Sequence, residues 1–281
     1  MLVMTAAYML AETIGGILTN SLALLADAGH MLSDVGSLGL SLIAMRFAAK
    51  PRTANMTYGY YRAEILAALV NGVTLVGISI FIFYEAATRF QSPRTVLSAP
   101  MLVVASAGLL VNLGGALILS RKKGESLNVR GAFLHVLADA LGSVGAIAAG
   151  GIMLATGWYL ADPIVSVLIA LLILFSSWRL LKESVTVLME GAPPHINSME
   201  IEEAIKNIPG VEEVHDLHIW TVTSGFDAIS AHVVVMDSGT VFDAQKVLKQ
   251  VRLLTKQRFN IEHTTIQIEH RQGSPKAKLM L

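Results

Sequence analysis

The chain has 281 residues, of which 53% are hydrophobic and only 15% are charged, and its mean hydropathy is +0.59. Soluble domains carry about 25% charged residues, so this composition excludes an ordinary soluble protein and indicates a membrane protein, at least in part. The net charge of zero gives no indication of nucleic-acid binding, and the absence of cysteine excludes disulfides and thiolate ligands.

Apolar runs predict six membrane-spanning helices, the first of which starts at the N-terminus. That start lacks the basic region and the cleavage site of a signal peptide, so we interpret it as the first span. Polar connections separate the runs, and the length of each run suits the hydrocarbon thickness of a bilayer. The predicted spans are residues 1–18, 22–48, 60–90, 100–119, 129–156 and 163–181.

The second and fifth spans contain two closely similar stretches. The second span holds His30 and Asp34 in the pattern His-x-Leu-x-Asp, and the fifth span repeats the pattern with His135 and Asp139. In a helix, positions i and i+4 share a face, so each stretch presents one imidazole and one carboxylate in the same direction. Two such helices side by side supply four nitrogen and oxygen ligands, the number that a tetrahedral Zn²⁺ site requires.

These two His-Asp pairs favour metal transport over a purely structural role. An Asp at bilayer depth costs about 2.5–3.5 kcal/mol on insertion scales, so a chain that keeps two such pairs there has a use for them. The alternative is a set of buried polar groups bonded to neighbouring helices. Repetition of the pair favours metal ligation, and helices that are able to shift favour transport over a closed structural site.

Two further features of these spans bear on the site. Asp27, three residues before His30, orients the imidazole, serves as an entry ligand, or is a helix-end carboxylate near the outer surface. Glycines such as Gly29 and Gly142 are frequent in both spans, and small residues let membrane helices approach closely. A His-Asp ligand set favours Zn²⁺ or Cd²⁺ over Mn²⁺ or Mg²⁺ and leaves Co²⁺ and Ni²⁺ open.

The distribution of basic residues predicts the orientation in the membrane. Lysine and arginine cluster after the second, fourth and sixth spans, and short basic loops stay on the cytoplasmic side. This pattern puts both termini in the cytoplasm. Arg89 and Arg94, which follow the third span, are the exception.

The last third of the chain is more polar and predicts a separate domain. Residues 191–281 hold nearly half of the charged residues, and Gly-Ala-Pro-Pro at 191–194 marks the boundary. We therefore expect a six-helix transmembrane domain over 1–190, a small cytoplasmic α+β domain over 191–271 and a flexible tail over 272–281. Periodicity and capping residues predict the order αββαβ in the second domain, with a helix at 198–207, strands at 211–223 and 228–236, a helix after Thr240 and a strand at 262–269.

The cytoplasmic domain offers a second candidate metal site. Four residues lie on or beside the predicted strands and would form a nitrogen and oxygen site if they converged on one edge: His215, His232, His263 and Glu269. The alternative is a set of half-buried or surface histidines, which is the interpretation that we prefer for His195, His218 and His270.

Two other classes of function compete with transport. An intramembrane metal-dependent hydrolase needs a general base beside its ligands, typically in the motif His-Glu-x-x-His, and the chain contains no such motif. A membrane metal sensor would use the cytoplasmic domain to signal to a partner. Metal flux in liposomes that contain only this protein would count against a sensor.

Several motifs together resemble the cation diffusion facilitator family of metal transporters, specifically its zinc-transporting branch. The resemblance covers nearly the whole chain and rests on the stretches around both His-Asp pairs, on Tyr-Gly-Tyr-Tyr-Arg-Ala-Glu at 58–64 and on Val-His-Asp-Leu-His-Ile-Trp at 214–220. The linker 50–55 contains no histidine, and the loop 120–128 lacks the histidine-rich stretch of some members. Neither segment is therefore expected to bind or deliver metal.

The resemblance implies a non-enzymatic transporter that exports Zn²⁺ from the cytoplasm in exchange for protons by alternating access. It implies a homodimer in the bacterial inner membrane, with six helices per subunit and a ferredoxin-like, metallochaperone-like cytoplasmic domain. Family transport ligands correspond to His30, Asp34, His135 and Asp139. The ligands of the family's cytoplasmic domain correspond to His215, His232, His263 and Glu269.

Overall fold

A computed structural model of the chain describes residues 2–48, 50–51, 53–120, 127–235 and 241–270. The side chains of residues 2, 4, 41, 44, 48, 127–132, 134–135 and 241–243 lie outside that description, as do residues 272–281, which were expected to be flexible. The chain divides into two compact units. The first unit is Met1–Arg46 with Ala67–Leu181, and the second is Phe47–Leu66 with Lys182–Leu281.

The first unit is built from long apolar helices. In chain order the helices are α1 (Leu2–Thr19), α2 (Leu22–Ala48), α3 (Ala63–Gln91), α4 (Ser98–Ser120), α5 (Leu127–Thr156) and α6 (Ala161–Leu188). Among the described residues, α3, α4, α6 and the stretch Val136–Thr156 of α5 are long and apolar enough to cross a bilayer. A helical transmembrane domain is therefore confirmed, whereas the count of six spans stays a prediction.

The first half of α2 is the most enclosed part of this unit. On one side Ala23 and Leu24 pack in a buried cluster with Met101 of α4 and Met153 of α5. On the other side Leu22 belongs to a second buried cluster that includes residues of α3 and α6. The start of α2 is thus held between α4 and α5 on one side and α3 and α6 on the other.

Glycines allow α2 to approach its neighbours closely. A Cβ atom added at Gly142 of α5 would lie 3.1 Å from Oδ1 of Asp27 in α2. A Cβ atom added at Gly29 of α2 would lie 2.8 Å from Cγ2 of Ile78 in α3, closer than real Cβ contacts come. Larger residues at these two positions would push α2 away from α5 and α3.

The second unit contains a small sheet covered by two helices. Its elements are α7 (Ser198–Lys206), β1 (Val211–Thr223), β2 (Phe226–Val235), α8 (Val241–Phe259) and β3 (His263–His270). The sheet has the order β1-β2-β3, with β1 antiparallel and β3 parallel to β2. This is the αββαβ order that the sequence predicts, although β2 starts two residues earlier and β3 one residue later. The predicted cap Thr240 lies outside the described residues.

Capping and apolar periodicity explain the helices of this unit. The Asn197 side chain accepts the backbone N–H of Met199 at 3.1 Å and so caps α7, as N-terminal asparagines commonly do. The fully buried core combines Ile201 of α7, Ile229 of β2 and Val251 of α8. Each helix therefore turns one apolar face toward the sheet.

The linker between α2 and α3 belongs to this second unit. Glu64 accepts hydrogen bonds from the hydroxyl groups of Thr223 and Ser224. Arg62 pairs with Glu190, with 2.9 Å between Nη2 and Oε1. The third helix starts at Ala63 rather than at residue 60 as predicted. The boundary between the domains at 190 stays a prediction.

Candidate metal centre

One turn of α2 presents the first pair of candidate ligands. His30 and Asp34 are four residues apart in the helix, so both side chains project from the same face. The His30 side chain is 27% exposed, which leaves the imidazole partly accessible at the point where the enclosed half of α2 ends. This placement is what an ion site with an entry path requires.

Helix α5 brings Asp139 to the same place. Nε2 of His30 lies 3.4 Å from Oδ1 of Asp139, and the side chain of Asp139 is 15% exposed. One ligand atom from each of His30, Asp34 and Asp139 lies within 4.8 Å of the others. Ligand atoms of a tetrahedral zinc ion are roughly 3.3 Å apart, given metal–ligand distances near 2.0 Å, so small side-chain movements would close this set around an ion.

The fourth candidate, His135, precedes Asp139 by one turn of α5. Its backbone is helical, whereas its side chain lies outside the described residues. Positions 135 and 139 share a face of the helix, and Asp139 is directed at His30. The backbone therefore permits His135 to join the set.

The nearby polar residues stabilise the helices around the candidate ligands. Asp27 is buried one turn before His30, beside Gly142 of α5. Asn71 of α3 donates a hydrogen bond to the Ser33 hydroxyl of α2 at 3.0 Å. Asn71 thus ties α3 to the turn of α2 that carries His30 and Asp34, and such polar bonds hold membrane helices together.

The second unit holds a second group of candidate ligands. Glu269 lies between two histidines, with 3.2 Å from its Oε2 to Nε2 of His215 and 2.6 Å from its Oε1 to Nδ1 of His232. The two imidazole rings have centroids 5.1 Å apart. Sheet register explains the cluster: His215 pairs directly with His232 across β1 and β2, and Glu269 pairs with Val234, two residues along the same face from His232.

Beside the cluster lies Asp216, a carboxylate that sequence reasoning did not single out. Asp216 follows His215 at an irregularity in the β1–β2 register, where its φ angle is +52°. Its two oxygens lie 3.0 Å from Nε2 of His218 and 3.7 Å from Nε2 of His232. A β-bulge re-aims side chains without changing the composition of a strand, so the alternation pattern contains no signal for this position.

His263 is not brought into the group. It is the first residue of β3, whereas Glu269 lies near the other end of the same strand. The His263 ring instead meets Tyr58 and Phe226 edge to face, with centroid distances of 5.7 and 5.6 Å. Three of the four candidates, His215, His232 and Glu269, therefore lie together, whereas His263 does not. Metal binding by these three residues stays a prediction.

Comparison with known proteins identifies the family. The cation efflux transmembrane domain family matches residues 1–189, and the cation efflux protein cytoplasmic domain family matches residues 193–271. The chain belongs to the cation efflux family. Since the family consists of transporters, the hydrolase alternative is excluded and the predicted resemblance to cation diffusion facilitators is confirmed.

Relatives of this cation efflux chain align over almost its whole length. It is 46% identical over 269 residues to the cadmium, cobalt and zinc/H(+)-K(+) antiporter of Bacillus subtilis, covering 95% of this chain and 86% of that protein. It is 46% identical over 268 residues to the zinc transporter ZitB of Escherichia coli, covering 95% of this chain and 84% of that protein.

Among solved structures, the cytoplasmic part is similar to the metal-bound C-terminal domain of the CzcD transporter from Cupriavidus metallidurans. That structure is 38% identical, with a TM-score of 0.24, and the match covers 26% of this chain and 99% of the other. The two family matches make this cation efflux protein a helical membrane domain followed by a cytoplasmic domain, and the latter contains the small sheet.

Proposed function

We propose that this chain is a Zn²⁺/H⁺ antiporter that exports zinc from the cytoplasm by alternating access. The observation that carries the proposal is the convergence of His30 and Asp34 from α2 with Asp139 from α5, all within 4.8 Å of one another. Relatives described as a zinc transporter and as a cadmium, cobalt and zinc/H(+)-K(+) antiporter support the choice of ion and of counter-ion. His135 completes the proposed set of four ligands.

Protons and zinc compete for the same side chains in this scheme. A histidine binds metal only when its ligating nitrogen is unprotonated, and a carboxylate only when it is ionised, so binding of zinc releases protons. An unperturbed histidine titrates at about pH 6.5, close to physiological values. A site that opens to a more acidic exterior therefore regains protons and releases zinc, and the inward proton gradient drives export.

The donor set limits which ions are carried. Two imidazoles and two carboxylates suit borderline ions, so Zn²⁺ and Cd²⁺ are the preferred substrates over Mn²⁺ and Mg²⁺. Affinity alone would also admit Co²⁺ and Ni²⁺, and cobalt is named for the relative from Bacillus subtilis. Competition between these ions in a transport assay ranks them directly.

The proposed topology is six spans with both termini in the cytoplasm of a bacterial inner membrane. Arg89 and Arg94, the cations that oppose this orientation, are paired: Arg89 contacts Glu85 and Asp162, and Arg94 contacts Glu85 at 2.9 Å. Cations used in such pairs have a structural reason to lie on the outer side. The cytoplasmic domain family is that of dimerising cation efflux proteins, which supports a homodimer as the working unit.

Flux measured in liposomes that contain only the purified protein tests the function. We expect zinc to accumulate when the lumen is acidic relative to the bath and to stop accumulating when a protonophore removes the pH difference. Liposomes without protein provide the background. Absence of flux under both conditions, with zinc still bound by the protein, would favour the metal-sensor alternative and contradict the proposal.

We further propose that His215, His232 and Glu269 bind a second zinc ion in the cytoplasmic domain. Glu269 contacts both imidazoles, so replacing it removes one ligand and leaves the other two without the group that orients them. We expect Glu269→Gln to weaken zinc binding by this domain at least about tenfold.

Zinc titration of the full chain measures this effect when the transport site is disabled by Asp139→Asn. Glu262→Gln is the matched control, because Glu262 is exposed and pairs only with Lys256 at 2.8 Å among the contacts described. Equal zinc affinity of the Glu269→Gln and Glu262→Gln proteins would show that Glu269 is not a ligand.

A further inference from the structure

Asp162, at the start of α6, is completely enclosed beside the first turn of α2, with a side chain 0% exposed. Its Oδ1 accepts the Ser21 hydroxyl at 2.7 Å and the backbone N–H of Ala23 at 3.1 Å. Its Oδ2 accepts the backbone N–H of Leu22 at 2.8 Å and Nη1 of Arg89 at 3.2 Å. Both oxygens of Asp162 are therefore engaged: twice by the first turn of α2, once by Ser21 just before it and once by Arg89 of α3.

This arrangement caps α2 from another helix. The first N–H groups of a helix have no partner within it and usually bond to the side chain that precedes the helix. Here the Ser21 hydroxyl accepts the N–H of Leu24 at 3.2 Å, while Asp162 accepts the N–H groups of Leu22 and Ala23. A carboxylate at this end also interacts favourably with the helix dipole.

Arg89 fixes the carboxylate in turn. Its side chain is only 5% exposed, and its Nη1 donates both to Asp162 and, at 2.7 Å, to the carbonyl oxygen of Asn20. Its Nε donates to Glu85 of α3 at 3.0 Å. The end of α3, the turn between α1 and α2, and the start of α6 are thus joined through one buried ion pair.

The candidate ligands lie on the same rigid element. His30 is eight residues after Leu22, roughly 12 Å along the axis at the rise of an α-helix, and no proline interrupts the stretch between them. A rotation or shift of the first turn of α2 therefore moves His30 and Asp34 relative to Asp139, which α5 supplies. The 3.4 Å separation between His30 and Asp139 depends on how α2 is anchored.

We propose that Asp162 is a positioning residue for zinc transport: by capping α2 from α6, it sets the placement of His30 and Asp34 against Asp139. The proposal rests on the proposed function insofar as that site carries zinc. Asp162 itself does not touch the ion. Its loss acts through the first turn of α2, and a carboxylate supplied to that turn from elsewhere restores what is lost.

The test compares Asp162→Asn with Ser166→Ala in the full chain, both with Glu269→Gln so that zinc binding by the cytoplasmic domain is weakened and is the same in the two proteins. Ser166 is a matched control because it is buried on α6 and bonds only to the carbonyl oxygen of Asp162 among the contacts described. We expect at least about tenfold faster hydrogen exchange over residues 21–26 and at least about tenfold weaker zinc binding for Asp162→Asn. Ser166→Ala should match the parent protein in both measurements.

Rescue separates positioning from ligation. Adding Ser21→Asp to Asp162→Asn places a carboxylate at the cap of α2 itself, and we expect it to return exchange and zinc affinity to within about threefold of the parent. If Asp162→Asn fails to fold, the protein that also carries Ser21→Asp decides. Native-like zinc affinity of that protein supports the proposal, and weak zinc binding or failure to fold overturns it. Fast exchange with unchanged zinc affinity in Asp162→Asn also overturns it.

These readouts are independent of transport. If the native protein binds zinc but moves none in liposomes, the proposed function fails while exchange and affinity still judge the role of Asp162. If native flux is present and Asp162→Asn behaves as Ser166→Ala does, the positioning role fails and the proposed function stands.

Discussion

Asp139→Asn should abolish zinc uptake into inverted membrane vesicles, with a loss of at least about 100-fold in initial rate. The reason is geometric: Asp139 is the candidate ligand of α5 whose side chain the structure describes, and its Oδ1 lies 3.4 Å from Nε2 of His30. Substitution of groups that merely orient a metal ligand typically costs 10–100-fold, so removal of a ligand costs at least about the upper end of that range. Asparagine keeps the size of the side chain and removes its charge.

The control for this experiment is Glu190→Gln, which makes the same chemical change at an exposed side chain that pairs with Arg62 in the second unit. We expect that variant to transport at nearly the native rate at equal protein abundance. Native-rate transport by Asp139→Asn would show that α5 does not contribute this ligand, and the four-residue assignment would then be wrong.

Arg89→Met should destabilise the protein by about 3–5 kcal/mol, the largest stability effect that we expect of a single substitution. Arg89 is the cation that contacts Asp162, and both side chains are almost completely buried. Removing the guanidinium leaves the buried carboxylate of Asp162 without its compensating charge. Methionine keeps much of the apolar length of the side chain, so the loss reports mainly on charge.

Arg94→Met is the matched control for that measurement. Arg94 also contacts Glu85, at 2.9 Å, but its side chain is 55% exposed, and exposed ion pairs contribute about 0–1 kcal/mol. The purified proteins are unfolded in detergent, either by heating or by adding a denaturing detergent, and their free energies of unfolding are compared. Equal losses of stability for Arg89→Met and Arg94→Met would contradict the claim that Arg89 compensates the buried charge of Asp162.

Local patterns predicted the parts of the molecule that depend on neighbours in sequence. The bounds of α2 and β1 agree with the structure because apolar periodicity, turns and breakers act over a few residues. The His-x-Leu-x-Asp spacing likewise placed His30 and Asp34 on one face, since i and i+4 positions of a helix always share one.

Features that depend on distant segments gave no such signal. Asp162 acts on residues about 140 positions earlier in the chain, and nothing in its immediate sequence distinguishes it from an ordinary acidic residue in the first turn of a helix. The bulge at Asp216 depends on strand register, which alternation within single strands does not fix. His263 and Glu269, by contrast, lie six residues apart on one strand, so the length of that strand alone separates them. The cap from α6 and the membership of the cytoplasmic cluster therefore required the structure.

One turn of α2 and one turn of α5 are proposed to hold the same zinc ion. The amount of zinc bound per chain, together with its X-ray absorption spectrum, tests this for the Glu269→Gln protein with and without His135→Ala. We expect about one zinc ion in a shell of four nitrogen and oxygen atoms, and at least about tenfold weaker binding once His135 is removed. Unchanged affinity and an unchanged shell after His135→Ala would contradict it.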